Sequence, residues 1–227
     1  MKIYAIGDLH LSSNSNKPMD IFGWHNHKER IFEDWKARVR PEDLVLLVGD
    51  TSWAIHLDEA KQDLQEIAEL PGTKVLIKGN HDYWWSTLSK MNKLYDNMFF
   101  LHNNVYVFGD YVICGTRGWL CPNETKFTQE DLKVYEREAM RFRNSLDKAK
   151  TSGAKTIIAM LHYPPTNELF ENSLFTALIN EYNVDKVVYG HLHGNDFFKT
   201  GLQGRVNNVE YSLVSCDYLD FKLKELI

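Results

Sequence analysis

The chain has few cysteines: Cys114, Cys121 and Cys216 among 227 residues. An odd number with no CxxC spacing gives no disulfide framework to expect. Two of the three sit in apolar strand-like runs, so buried, reduced thiols in a reducing cytoplasm are expected. Long apolar stretches are also missing, and none approaches the ~18 consecutive residues of a membrane helix. The first strand starts at Lys2, which leaves no room for a targeting segment and again points to the cytoplasm. Excess charge of one sign is lacking as well. A net charge of -5, without runs of lysine or arginine, gives no general attraction to nucleic acid or an anionic membrane. There is no repeat, low-complexity tract or dividing linker, so one domain over residues 1–227 is expected.

What the chain does have is a recurring strand ending. Leu44-Val45-Leu46-Leu47-Val48 is a continuous apolar run, suited to a strand covered on both faces in a parallel sheet, and it stops at Gly49-Asp50. Open α/β sheets bind their ligands at the carboxyl ends of such strands. The same pattern recurs where residues 2–6 lead to Gly7-Asp8-Leu9-His10 and where residues 73–77 lead to Gly79-Asn80-His81-Asp82. It returns at His162 after residues 156–160 and at Gly190-His191-Leu192-His193 after residues 186–189.

Between these strands the spacing predicts helices over residues 28–38, 57–70 and 173–180, with a long one capped by Thr128 and Asp131. Strand–helix alternation predicts parallel crossovers. Gly109-Asp110 lies between two short apolar runs and reads as a hairpin turn, not a ligand site. The tail, including Phe197 and Phe198, reads as short strand-like pieces that complete a second sheet. The long loop over residues 11–27 starts beside a candidate ligand, yet His25 and His27 end no strand and are expected at its rim.

Five strand ends therefore offer carboxylate, amide or imidazole side by side. Imidazole and carboxylate without thiolate suit manganese, iron, zinc, cobalt or nickel. The groups outnumber the needs of one four- to six-coordinate ion, so two divalent transition-metal ions sharing a carboxylate is the economical reading. Ions ~3.5–4 Å apart can hold a bridging hydroxide and clamp both oxygens of an in-line displacement at phosphorus.

In this order, the five blocks resemble the signature of the calcineurin-like metallophosphoesterase superfamily, from residue 7 to residue 193. The resemblance implies an α/β fold: a layered β-sandwich of two mixed sheets flanked by helices, with a dinuclear site at the strand ends. It implies that Asp8, His10, Asp50 and His193 hold one ion and that Asp50, Asn80, His162 and His191 hold the other, with Asp50 bridging. His81 would steady the phosphate and protonate the leaving alkoxide, making this a phosphohydrolase acting on a small-molecule monoester or diester. Arg117, after another strand end, is a further candidate phosphate contact beside Asn80 and His81. Many members carry an acid or histidine where this chain has Trp53, to orient the proton-donating histidine. Either Asp82 takes over that task, or the dyad is absent and leaving-group protonation is weaker.

The aromatics Trp53, Tyr83, Trp84, Trp85 and Trp119 are expected mainly as packing beneath the site. Two other classes stand against the hydrolase. A non-catalytic scaffold would be expected to lose ligand blocks, and a nuclease to carry a basic groove; neither feature is visible.

Overall fold

The computed structural model describes residues 1–15 and 17–227. Strands β1 (Ile3–Ile6), β2 (Leu44–Leu47), β3 (Thr73–Leu76) and β4 (Met98–Phe100) pair in that order, all parallel. Strands β5 (Tyr106–Phe108), β6 (Tyr111–Thr116), β7 (Thr156–Leu161), β8 (Lys186–Tyr189), β9 (Gly204–Val206) and β10 (Val209–Leu213) form a second sheet in the order β5-β6-β7-β8-β10-β9. Its four inner strands are parallel and its two edge strands antiparallel. Strand β11 (Lys224–Glu225) returns the chain to the first sheet, antiparallel to β1. Both sheets are therefore mixed.

Alternation along each strand sorts the side chains into layers. Ile3, Ala5, Leu44, Leu46, Val75, Ile113, Ile158, Met160 and Val188 share one buried cluster between the two sheets. Their neighbours Tyr4, Ile6, Val45, Leu47 and Leu76 face outward, against Ile31 and Trp35 of helix α1 (His27–Arg38) and Ala60, Leu64 and Ile67 of α2 (Leu57–Ala68). After the short turn of α3 (Leu88–Met91), the second sheet is covered in the same way by α4 (Gln129–Lys150) and α5 (Leu174–Glu181). Each inner strand is buried on both faces. That is why β1 and β2 read as unbroken apolar runs rather than alternating ones.

Local chemistry closes the helices where expected. Thr128 Oγ1 accepts from the Asp131 N–H at 3.1 Å, and Asp131 Oδ2 accepts from the Thr128 N–H at 2.9 Å, a reciprocal cap on α4. Lys74 is fully buried and donates from Nζ to the Ala68 and Leu70 carbonyls, satisfying the end of α2. Burial lowers its pKa to about 8. Gly109-Asp110 does turn the β5–β6 hairpin.

Some expectations are corrected. Phe197 and Phe198 are not in a strand but in α6 (Asn195–Phe198), a single turn whose Phe197 and Phe198 N–H groups donate to the Gly194 carbonyl at 3.0 and 3.2 Å. Gly194 takes a φ of 81°, open to glycine, and its carbonyl accepts both bonds, so the segment closes on itself instead of pairing as a strand. Strands β4 and β11 carry too few residues for a periodic signal and were not expected. Among the described residues, no helix is long and apolar enough to cross a membrane.

Leu46 touches no solvent and lies between the sheets. Leu46→Ala is expected to destabilise by about 2–5 kcal/mol, read as a lower denaturant midpoint at unchanged slope.

Candidate metal centre

The loops leaving β1, β2, β3, β7 and β8 converge at one end of the paired sheets. Asp8, His10, Asp50 and His191 all hold positive φ, at 59°, 45°, 50° and 71°. Non-glycine residues in that region cost of order 1 kcal/mol or more each and persist where the surroundings over-determine them. Here the Asp8 N–H donates to the Gly49 carbonyl at 2.9 Å and the His10 N–H to the Asp50 carbonyl at 3.0 Å, tying the first two turns together. Glycine serves close approach at Gly79 and Gly190. A Cβ on the first would collide with Asp50, and a Cβ on the second with Asp8.

The side chains gather into two overlapping groups. Asp8, His10 and His193 present ligand atoms within 4.8 Å of one another, and so do Asp8, Asp50 and His162. Asp50 Oδ2 stands 3.8 Å from His10 Nε2 and 3.5 Å from His162 Nε2, between the two sets. Asn80 Oδ1 lies 2.7 Å from His162 Nε2 and 3.0 Å from His191 Nδ1. All seven residues expected as ligands, Asp8, His10, Asp50, Asn80, His162, His191 and His193, are thus brought together, the first three and His162 buried and Asn80, His191 and His193 partly exposed.

The cluster fits cations. His162 donates from Nδ1 to the Val48 carbonyl at 3.0 Å, which turns the Nε2 lone pair toward Asn80 Oδ1 and Asp50 Oδ2. Lone pairs facing one another with no proton between them are what a cation satisfies. His193 is oriented in the same way: Asp217 Oδ1 lies 3.0 Å from its Nδ1, leaving Nε2 toward Asp8 at 3.4 Å. His10 Nδ1 is buried without a partner. A buried polar atom of that kind calls for a ligand.

Electrostatics carry the same message. Burial, reinforced by the neighbouring Asp8 carboxylate, raises the Asp50 pKa well above the usual carboxylate range. Burial acts on Asp8 too, but the charge and hydrogen bond of His193 outweigh it and hold Asp8 low. Against burial, Asp8 and Asp217 push His193 up to about 10. Burial drives His10 and His191 down to about 3. These shifts mark the cluster as a place that favours added positive charge, while burial favours neutral His10 and His191, available as ligands.

Asp82 has a different task from the one proposed for it. Its Oδ2 accepts from the Gly79 and Asp50 N–H groups at 2.7 and 2.9 Å. Its Oδ1 accepts from Thr51, Ser52 and the Trp84 indole at 2.9, 3.3 and 2.9 Å. It locks the β2 and β3 turns together and leaves no oxygen for the His81 ring. Burial and then Asp50 raise its pKa to about 6 despite these donors. Trp53 does not replace the missing acid either: it donates from Nε1 to Met19 Sδ at 3.3 Å and stacks on His10 at 4.5 Å. Among the described residues, no side chain hydrogen-bonds the His81 ring, which packs 4.5 Å from Trp53. Of the two readings of this departure, an absent dyad matches the geometry.

The His81 edge faces a cavity of about 380 Å³ shared with His10 and His193, walled by Met19, Phe22, Trp24 and Trp53. Residues 19–24 of the long loop thus supply one wall of the site. His25 is exposed beside Asp20, and His27 Nε2 meets the Leu9 carbonyl; neither joins the cluster. Trp84 is buried packing as expected, whereas Tyr83 is exposed. The Arg117 side chain lies against Glu138 at 3.4 Å and over the Trp119 ring at 4.6 Å, outside the Asp/His cluster. Its carbonyl accepts from the His162 and Tyr163 N–H groups, both at 3.0 Å. Asp217 went unnoticed in the sequence. It follows β10 by the same rule as the other site residues, since Val214-Ser215-Cys216-Asp217 is one more strand end finishing in an acid.

Two mixed sheets, covered by helices and carrying buried Asp and His at their strand ends, define a protein built to hold cations. The chain belongs to the calcineurin-like phosphoesterase family, whose model matches residues 1–195. Among solved structures it is similar to a protein of unknown function, AQ665, from Aquifex aeolicus, at 17% identity over 99% of this chain and 95% of that one, with a TM-score of 0.55. It is also similar to the phosphopantetheinyl hydrolase of Mycobacterium tuberculosis, at 14% identity over 100% and 95% with a TM-score of 0.59. TT1561 of Thermus thermophilus is 13% identical over 98% and 96%, with a TM-score of 0.58. At such identities the likeness is one of fold. No curated protein matches the chain significantly. Family and cluster together support a metal-dependent phosphoesterase.

Two outcomes are expected. Metal binding has to displace the protons held by Asp50 and His193, so affinity should rise with pH through neutrality toward the His193 value of about 10. Calorimetry in buffers of different ionisation enthalpy should show proton release, and pH-independent binding without it would contradict the scheme. Asp82→Asn, which turns a donor amide toward backbone N–H groups, is expected to lower stability by about 3 kcal/mol and to weaken metal binding with it.

Proposed function

We propose that the protein is a dinuclear metallophosphohydrolase acting on a small-molecule phosphomonoester or phosphodiester. The convergence of Asp8, His10, Asp50, Asn80, His162, His191 and His193, with Asp50 Oδ2 between two imidazole groups, is the observation that carries this reading. Asp8, His10, Asp50 and His193 would hold one divalent ion, and Asp50, Asn80, His162 and His191 the other. When bound, such ions supply Lewis-acid polarisation of phosphoryl oxygens and bring the pKa of water from 15.7 toward ~7.

The protein's own groups do the rest. The Asn80 amide and the His81 ring border the cluster and are the proposed contacts to the phosphoryl group. Burial, followed by the charge of His162, lowers the His81 pKa. That favours the neutral ring, and a phosphoryl anion bound beside it would favour the protonated form, coupling its loading as an acid to substrate binding. From there it can pass that proton to the leaving alkoxide. Trp53 holds His10 by stacking and gives His81 no charged partner, so proton delivery relies on the substrate's own negative charge. The three cysteines are free and buried, which suits the cytoplasm as the proposed location.

Metal-replete protein is expected to hydrolyse a phosphate ester panel, with mono- and bis-nitrophenyl phosphate the first comparison; inactivity across a broad panel would sink the proposal. Asp50→Asn should nearly abolish turnover, with Trp53→Phe much milder. His81→Ala should cost about 10²–10⁴-fold on alkyl esters, whose leaving groups need a proton, and clearly less on nitrophenyl esters, whose leaving groups do not.

A further inference from the structure

A second cavity, of about 320 Å³, opens where the ends of β3 and β6 meet α4. Its wall carries Lys78, Arg117, Arg137 and Arg141 around one carboxylate, Glu138. Glu138 is 1% exposed and already satisfied: Thr116 Oγ1 and Arg141 Nη1 donate to it at 2.6 Å each, and Arg117 Nη2 at 3.4 Å. Four cations thus face the charge of one carboxylate. Among the described residues, Lys78 and Arg137 have no hydrogen-bond or ion-pair partner, and Arg117 Nε is buried without one. Lys78 is half-buried.

A solvated helix face would spread such charges over a convex surface and intersperse them with acids. Here they converge on a concavity, while Glu136 of α4 points to another face, beside Met140 and Arg143. Holding like charges together, partly desolvated, is unfavourable unless a counter-charge arrives. Guanidinium groups and an ammonium with free donors are the groups that recognise phosphoryl oxygens.

We propose that this cavity binds a phosphoryl dianion, held by Lys78, Arg117, Arg137 and Arg141. The proposal is separate from hydrolysis at the Asp/His cluster, but the two sites share their supports. Lys78 leads directly into Gly79-Asn80-His81, and the Arg117 carbonyl holds the His162 and Tyr163 N–H groups. Two sources offer the same chemistry: free phosphate, and a second phosphoryl group on the ester substrate.

The test is calorimetric titration of metal-loaded protein with inorganic phosphate, comparing wild type with Lys78→Gln/Arg137→Gln. Both changes lie at partly or fully exposed side chains, and circular dichroism checks the fold. The expected result is a salt-sensitive binding event weakened about tenfold or more in the double variant, because two charge-assisted contacts are lost. That event should survive in Asp50→Asn, where the metal centre is impaired. Equal binding by wild type and double variant overturns the proposal, as does its complete loss in folded Asp50→Asn protein. The source is then read from KM. A rise in the double variant confined to a diphosphorylated ester assigns the cavity to the substrate's second phosphoryl group. Unchanged KM on mono- and diphosphorylated esters, with phosphate binding lost, assigns it to free phosphate.

Discussion

The structure rests on two carboxylates buried side by side. Asp8 and Asp50 are out of contact with water and ringed by imidazoles, of which burial favours the neutral form at His10 and His191. Such an arrangement is unfavourable unless protons or metal ions supply positive charge. Every unusual feature nearby serves to hold it: positive φ at four site residues, glycines where backbone and carboxylate touch, and lone pairs aimed inward. Folding energy from three apolar layers offsets this local cost, a division of labour typical of functional sites.

Rigidity comes from acids that are not themselves proposed ligands. Asp82 uses both oxygens to bind the backbone of the β2 and β3 turns, so Asp50 and Asn80 are presented by one hydrogen-bonded unit. Asp217 fixes the ring of His193 from the other side. Such partners settle tautomer and orientation, and thereby which nitrogen faces the cluster. Trp53 works through packing instead of charge, stacking on His10.

The surroundings of the cluster divide by chemistry. Toward the long loop, the walls are aromatic and thioether side chains; toward α4, a separate cavity is lined by cations. An ester entering the first meets an apolar surface next to His81. The first also holds the imidazoles of His10, His81 and His193, whereas the second gathers lysine and arginine. This asymmetry arises because the two sheets contribute different neighbours at the same end of the molecule.

Much of this was legible in the linear chain. Apolar runs ending at Asp8, Asp50, Asn80, His162 and His191 report parallel strands and the residues at their ends together, because a strand covered on both faces must be apolar until it leaves the core. The helix caps and the Gly109 turn were visible for the same local reason. Short edge strands and the single turn at Phe197 were not, since too few residues carry any period. What Asp82, Asp217, Trp53 and Arg117 do was decided only by tertiary structure. Their partners lie on other strands and helices, and a hydrogen bond or stacked ring between distant segments leaves no mark on sequence spacing. The sequence by itself determined which donors gather at the strand ends; how they are oriented, protonated and flanked is settled by the packing of one sheet against the other.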